Sequence, residues 1–279
     1  MCGITGFISS GEKISGKEFY RAHLATAHRG PDDEGFFAIS EEKPHYLKGD
    51  DTVVDFSELE HIANISNCEL ILAHRRLRII DLSAAGHQPF TIGKYVVVYN
   101  GEIYNYLELR AELEKLGIKF ITSTDTEVFV VAFSIWGPEA FKKFNGMWAF
   151  AIWDKEEKEL FCARDHFGIK PFYYTQNDHG LLFASEIKAI LTHRSVKRFP
   201  NDKVIYDYLL FSLVDHSDET FFKDIYQLPA AHALSVKDGE VECYRWWDLE
   251  EKSTPQSETD TYQQIKADLT DSISFRLRS

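Results

Sequence analysis

Three kinds of group in this sequence could share one piece of chemistry: a thiol at the start of the chain, a cluster of arginines, and polar residues behind an apolar run. Cys2 follows the initiator methionine, and its side chain is small enough for that methionine to be trimmed. Trimming would leave nucleophile and base on one residue. A free thiol titrates near about 8.5 and an α-amine near about 8, so the amine can take the thiol proton near neutral pH, directly or through one water. The bland alternative is a small core residue at a strand end. Arg75, Arg76 and Arg78 alternate with apolar residues and would ordinarily form a solvated strand face. One arginine turned inward could instead grip a carboxylate through its two-pronged guanidinium. Asn100-Gly101 directly follows the run Tyr95 to Tyr99. Between apolar runs this pair signals a type I′ hairpin turn, and the same turn would present an amide and a backbone N–H to a developing oxyanion. Asp125 is either the N-cap of a helix over about 126–136 or a ligand-binding acid.

The elements that must position these groups can be read from spacing. Residues 2–9 read as a strand carrying the N-terminus inward, and residues 17–27 have helical spacing that the Gly30-Pro31 pair stops. Residues 36–39 and 70–74 read as strands, separated by an acidic, irregular excursion over 40–68 with a short helix near 57–64. Asn105 with Glu108 three residues on resembles a capping box for a helix ended by Gly117, and 118–121 reads as a short strand. Residues 147–153, 159–164, 171–175 and 181–184 look like an antiparallel meander closed by a helix over 186–193. Beyond Pro200 the spacing predicts a helix over 203–213, a hairpin over 232–247 bent at Asp238-Gly239, and a linker over 252–260. The chain ends in an amphipathic helix with Tyr262, Ile265, Leu269, Ile273 and Leu277 on one side.

With 279 residues the chain fits two domains or one large domain with an appendage. A net charge of -13 argues against nucleic acid or an anionic membrane as the main partner, because both need basic surface. Cys2, Cys68, Cys162 and Cys243 lie far apart with no CxxC pair, so no metal site and no disulfide framework is expected. No apolar run approaches the ~20 residues that span a bilayer, and no signal peptide precedes Cys2, so the expected compartment is the reducing cytoplasm.

Taken together, MCGITGF, HRGPD (28–32), RLRIIDL (76–82), GHQPF (86–90), YNGEIYN (99–105), STDTEV (123–128), ARDHFGIKPFYY (163–174) and FASEIKAI (183–190) resemble the glutaminase domain of glutamine-hydrolysing asparagine synthetases. Pattern alone gives only an α+β class. The resemblance implies the N-terminal nucleophile hydrolase fold, two stacked antiparallel sheets between helical layers (αββα), with a glutaminase domain over 2–195. A connecting segment and a partial, truncated synthetase domain would fill 196–279. It further implies Cys2 as nucleophile, Asn100 and Gly101 as oxyanion hole, and Arg76 for the α-carboxylate of L-glutamine. Ile79 and Ile80 would line the pocket, and Glu102 and Asp125 would hold the α-ammonium. No cofactor is expected for this part; ATP, Mg and aspartate would be met only by the missing synthetase domain, and a homodimer is left open. Two departures stand out: His166 where relatives usually have arginine, and Leu228-Pro-Ala-Ala-His232 where they often show LPPGH. Alternative readings are an amidotransferase acting on another carboxylate, such as a surface-sugar precursor, and a non-catalytic glutamine-sensing module.

Overall fold

A computed structural model describes residues 1–79, 83–250 and 257–278. In chain order the elements are β1 (Gly3–Ser9), α1 (Gly16–Leu24), β2 (Asp33–Ser40), β3 (Lys43–Leu47), β4 (Cys68–Arg76), β5 (Phe90–Ile92), β6 (Tyr95–Ile103), α2 (Tyr106–Lys115) and α3 (Asp125–Trp136). There follow β7 (Gly146–Asp154), β8 (Glu159–Arg164), β9 (Tyr173–Asn177), β10 (Gly180–Ala184), α4 (Ile187–Ile190), α5 (Asp202–Phe211), β11 (Tyr226–Gln227), β12 (His232–Lys237), β13 (Glu240–Arg245) and α6 (Glu258–Arg276).

The strands sort into two antiparallel sheets, ordered β11-β9-β10-β1-β4-β2-β3 and β13-β12-β8-β7-β6-β5. Side chains alternate across a strand, and here both faces of each sheet are covered. On β6, Val96 and Val98 face the other sheet, whereas Val97, Tyr99 and Ile103 pack with Phe129 of α3. On β4, Leu70 and Leu72 face the second sheet while Ile71 and Ala73 pack with Phe19 of α1. This is why the strands read as continuous apolar runs rather than as a polar and apolar alternation. Fully burying each such Val, Leu, Ile or Phe contributes about 1.5–3 kcal/mol, so the core between the sheets holds them in register against the cost of ordering. The four layers follow the αββα order that the resemblance implies.

The pleat also resolves the arginine cluster. Arg75, fully buried, turns to the α1 side, with Nη2 3.1 Å from Glu34 Oε2 and Nη1 2.7 Å from Asp51 Oδ2. Arg76, the next residue, takes the opposite face, toward the second sheet. Neither forms the solvated strand face that the sequence pattern suggested.

Several expectations change. Asn100-Gly101 is not a hairpin turn: β6 runs straight through it, with Asn100 opposite Ala149 and Gly101 opposite Trp148. The glycine serves close approach, since a Cβ there would stand 2.7 Å from Trp148 Cα on β7. Asp125 is not the cap of α3. Thr124 is, its hydroxyl accepting from Glu127 N at 3.2 Å, which leaves the Asp125 carboxylate free for other contacts. Asn105 precedes α2 without a capping bond, because its amide instead spans Lys143 O and Asn145 N. The excursion over 40–68 contains β3 and two short 3-10 turns, and the strand expected at 118–121 is irregular chain. The expected meander is split between the sheets, β7 and β8 in one, β9 and β10 in the other. The helix over 186–193 shortens to α4. Strands β11, β12 and β13 join the two sheets from beyond residue 195, where the sequence reading placed a domain boundary. Of the linker over 252–260, residues 252–256 lie outside the described residues, and 258–260 already belong to α6.

Candidate active site

Strand β1 lies inside the first sheet between β10 and β4, so its first residues are held on both sides. The register sets Gly3 against Arg75 and Ile4 against His74, which brings Cys2 to the end of β4 where Arg76 emerges. Cys2 is half-buried. Its Sγ accepts from Leu77 N at 3.4 Å and lies 3.7 Å from Leu77 O. Arg29, from the HRGPD segment, donates from Nε to Cys2 O at 2.9 Å and from Nη1 to Glu186 Oε1 at 3.1 Å. That segment, which by itself reads as a plain connection, clamps the backbone of the first strand. Burial pushes the Cys2 thiol pKa up, against the Leu77 hydrogen bond, the positive chain terminus, and the Lys170 and Arg76 cations. The thiol therefore needs a base in order to act near neutral pH.

Across the gap stands the end of β6 and the start of α3. One cavity is lined by Cys2, Arg76, Leu77, Ile79, Gly101, Glu102 and Asp125, with His74, Gly86, Gln88, Tyr99, Thr124 and Thr126 completing its wall. Its volume is about 70 Å³, and the exposed Ile79 stands at its edge. Six of the residues expected from the sequence are thus brought together. Asn100 stands beside them on β6 but does not line the cavity; it is 1% exposed, and its Nδ2 has no hydrogen-bond partner among the described residues. Ile80 lies outside the described residues.

The charged members are fixed by different means. Arg76 Nη1 donates to Ser83 O at 2.7 Å, and Gly86 has no side chain because the Arg76 guanidinium lies over its backbone. Asp125 Oδ2 accepts from Tyr99 Oη at 3.0 Å and from Ile103 N at 3.1 Å. Burial raises the Asp125 pKa to about 6; the two hydrogen bonds oppose that rise and the neighbouring Glu102 adds to it. The outcome is one cation, two acids and a thiol around a single cavity, the charge pattern that fits a zwitterionic amino acid with its side chain directed at the sulfur. Among the described residues no group of three or more His, Cys, Asp or Glu side chains is arranged to hold a metal.

Sequence reasoning missed His74, Gln88, Tyr99, Thr124 and Thr126. Period-two alternation from Leu70 and Leu72 would have placed His74 on the same face as Arg76, so that signal was present. Gln88 had none, because its role depends on a contact across the fold. The substituted position His166 packs against Trp246 and Trp247, with ring centroids 4.7 and 4.8 Å away, and does not line the cavity. A larger cavity of about 560 Å³, lined by Ile8, Phe37, Trp153 and charged rim residues, contains neither Cys2 nor any other expected site residue.

The chain is similar to known proteins over most of its length. Residues 60–247 match the family described as a glutamine amidotransferase domain. All of this chain aligns with 53% of a Methanocaldococcus jannaschii protein, at 34% identity, that carries the provisional name asparagine synthetase (glutamine-hydrolysing) 2. It also aligns with 42% of asparagine synthetase (glutamine-hydrolysing) 3 of Bacillus subtilis, at 30% identity. The chain spans about half the length of these curated relatives. Among solved structures, the glutamine phosphoribosylpyrophosphate amidotransferase of B. subtilis superposes with a TM-score of 0.66. That match, at 19% identity, covers 88% of this chain and 49% of the other, and it establishes a shared fold.

Proposed function

The chain belongs to the glutamine amidotransferase domain family, with the N-terminal nucleophile hydrolase fold, and from that premise we propose that it hydrolyses glutamine to glutamate and ammonia through a thioester on Cys2. The observation that carries this reading is the single cavity shared by Cys2, Arg76, Gly101, Glu102 and Asp125. Arg76 pairs with the substrate α-carboxylate; Glu102 and Asp125 hold its α-ammonium. This leaves the side-chain carboxamide beside Sγ.

Met1 is 56% exposed, which leaves it open to removal. The freed α-amine of Cys2 takes the thiol proton, and the thiolate attacks the carboxamide carbon. The tetrahedral oxyanion is met by Asn100 Nδ2 and Gly101 N–H, each such donor being worth about 3 kcal/mol of barrier. Collapse expels ammonia, protonated on its way out by the same amine, and water then cleaves the thioester. The unpartnered Asn100 amide supports this role, because a buried donor without a partner costs stability unless a reacting group engages it.

For the longer protein, ammonia would serve ATP- and Mg-dependent conversion of aspartate to asparagine by residues outside this chain. The names of the curated relatives, asparagine synthetases of the glutamine-hydrolysing kind, support asparagine as the product. The test for this chain is intact mass after treatment with the glutamine analogue 6-diazo-5-oxo-norleucine. A single adduct on a chain lacking Met1, mapped to Cys2 and blocked by glutamine, is expected. An adduct elsewhere, or none, would refute the proposal.

A further inference from the structure

Tyr99 is the residue before the two expected oxyanion donors, and every polar group it carries is bonded. Its N–H donates to Gln88 Oε1 at 2.7 Å, its hydroxyl to Asp125 Oδ2 at 3.0 Å, and its carbonyl accepts from His74 Nε2 at 3.0 Å. A carbonyl can only accept, so Nε2 carries the proton. His74 is 1% exposed and its Nδ1 has no hydrogen-bond partner among the described residues. Burial pushes its pKa down to about 3, which keeps the ring neutral.

His74 lies on β4, opposite Ile4 of the nucleophile strand, whereas Tyr99, Asn100 and Gly101 belong to the other sheet. The residues that face each other between the sheets in this region, such as Ile4, Leu72 and Val98, are apolar. Apolar contacts tolerate small sliding, but a directed hydrogen bond does not. A leucine or methionine could fill the space of His74 but would leave the buried Tyr99 carbonyl without its donor, so this bond contributes to stability as well as fixing a position.

We propose that His74 is a positioning residue: its Nε2–H holds the Tyr99 carbonyl and thereby sets where Asn100 and Gly101 stand relative to the Cys2 sulfur. This rests on the glutaminase reading above. The effect includes the chemical step, because Asn100 and Gly101 directly follow Tyr99, and it extends to the grip on glutamine, because Glu102 continues the same strand and the Tyr99 hydroxyl bonds Asp125.

The test uses the 279-residue chain with His74→Leu and His74→Gln, each shown to be folded by its thermal melt, and measures ammonia release from glutamine. His74→Leu should lose on the order of 100-fold in kcat, the cost of misplacing reacting groups by about 1 Å, with a smaller change in KM. His74→Gln offers an N–H at the place of Nε2 and should recover most of that loss. A His74→Leu chain with wild-type kcat, a loss confined to KM, or a His74→Gln chain no better than His74→Leu would each overturn the proposal. In addition, 15N NMR of His74 should show one Nε2–H tautomer that does not titrate between about pH 5 and 8. A titrating ring would refute the bond whether or not the chain turns over glutamine. A wild-type chain that releases no ammonia would instead refute the glutaminase reading first, with the NMR result still judging the bond.

Discussion

Asp125 is held by opposing forces: burial favours its neutral form, whereas the substrate ammonium it is assigned to hold requires the charge. Because its pKa is raised to about 6, glutamine should bind best above about pH 6, where the Asp125 carboxyl carries its charge. Below about pH 6 the carboxyl takes up its proton and affinity should fall by roughly tenfold per pH unit. Calorimetric titration of glutamine into Cys2→Ala across that range checks it. In Asp125→Asn the acid limb should vanish, with binding weaker throughout by about 1.5–3 kcal/mol, the worth of a hydrogen bond to a charged group. An unchanged acid limb in Asp125→Asn would assign it to another residue. At this scale the sequence was most informative where a motif carried the residue, as with Cys2, Arg76, Glu102 and Asp125. It was silent on what tunes them, because Tyr99, Ile103 and Gln88 reach the site only through tertiary contacts.

Elements explain where local reading erred. Asn-Gly favours a type I′ turn, yet β6 continues because the next strand packs closely on the glycine face, and pairing with β7 outweighs the turn preference. Gly101→Ala should therefore cost about 1–3 kcal/mol in urea unfolding, through forced displacement of Trp148, and should lower kcat as well. Wild-type stability in that variant would contradict the close-approach account. β3 was hidden because Lys43, Pro44 and His45 give an exposed edge strand few apolar marks. Beneath α1, Arg75, Glu34 and His23 form a fully buried polar cluster, with burial driving the His23 pKa well below its ordinary value. Arg75→Met should destabilise the fold by about 3–5 kcal/mol, since it leaves Glu34 buried and unpaired. The double variant Arg75→Met/Glu34→Met should recover much of that loss in the same unfolding assay, and a purely additive double loss would argue against the pairing.

At the scale of the whole molecule, two stacked sheets let the proposed nucleophile and the proposed oxyanion donors come from different sheets and stand near one another at one end of the core. Period-two patterns indicated strands but could not sort them into sheets, because a strand buried on both faces does not show which neighbour it pairs with. The order of motifs carried that information through resemblance alone. Apolar residues on α5 and α6, among them Leu209, Phe211, Leu269 and Ile273, remain exposed, and the curated relatives run to about twice this length. In the proposed reaction every group that acts on glutamine comes from this chain, so added ATP, Mg and aspartate should leave its ammonia release unchanged; a dependence on them would mean that the site is incomplete. The most direct test of the central claim compares ammonia release from glutamine by the wild-type chain, freed of Met1, with that of Cys2→Ala, while calorimetry follows glutamine binding to both. The account predicts that Cys2→Ala binds glutamine and releases no ammonia above the uncatalysed rate. Release at the wild-type rate by Cys2→Ala would contradict it.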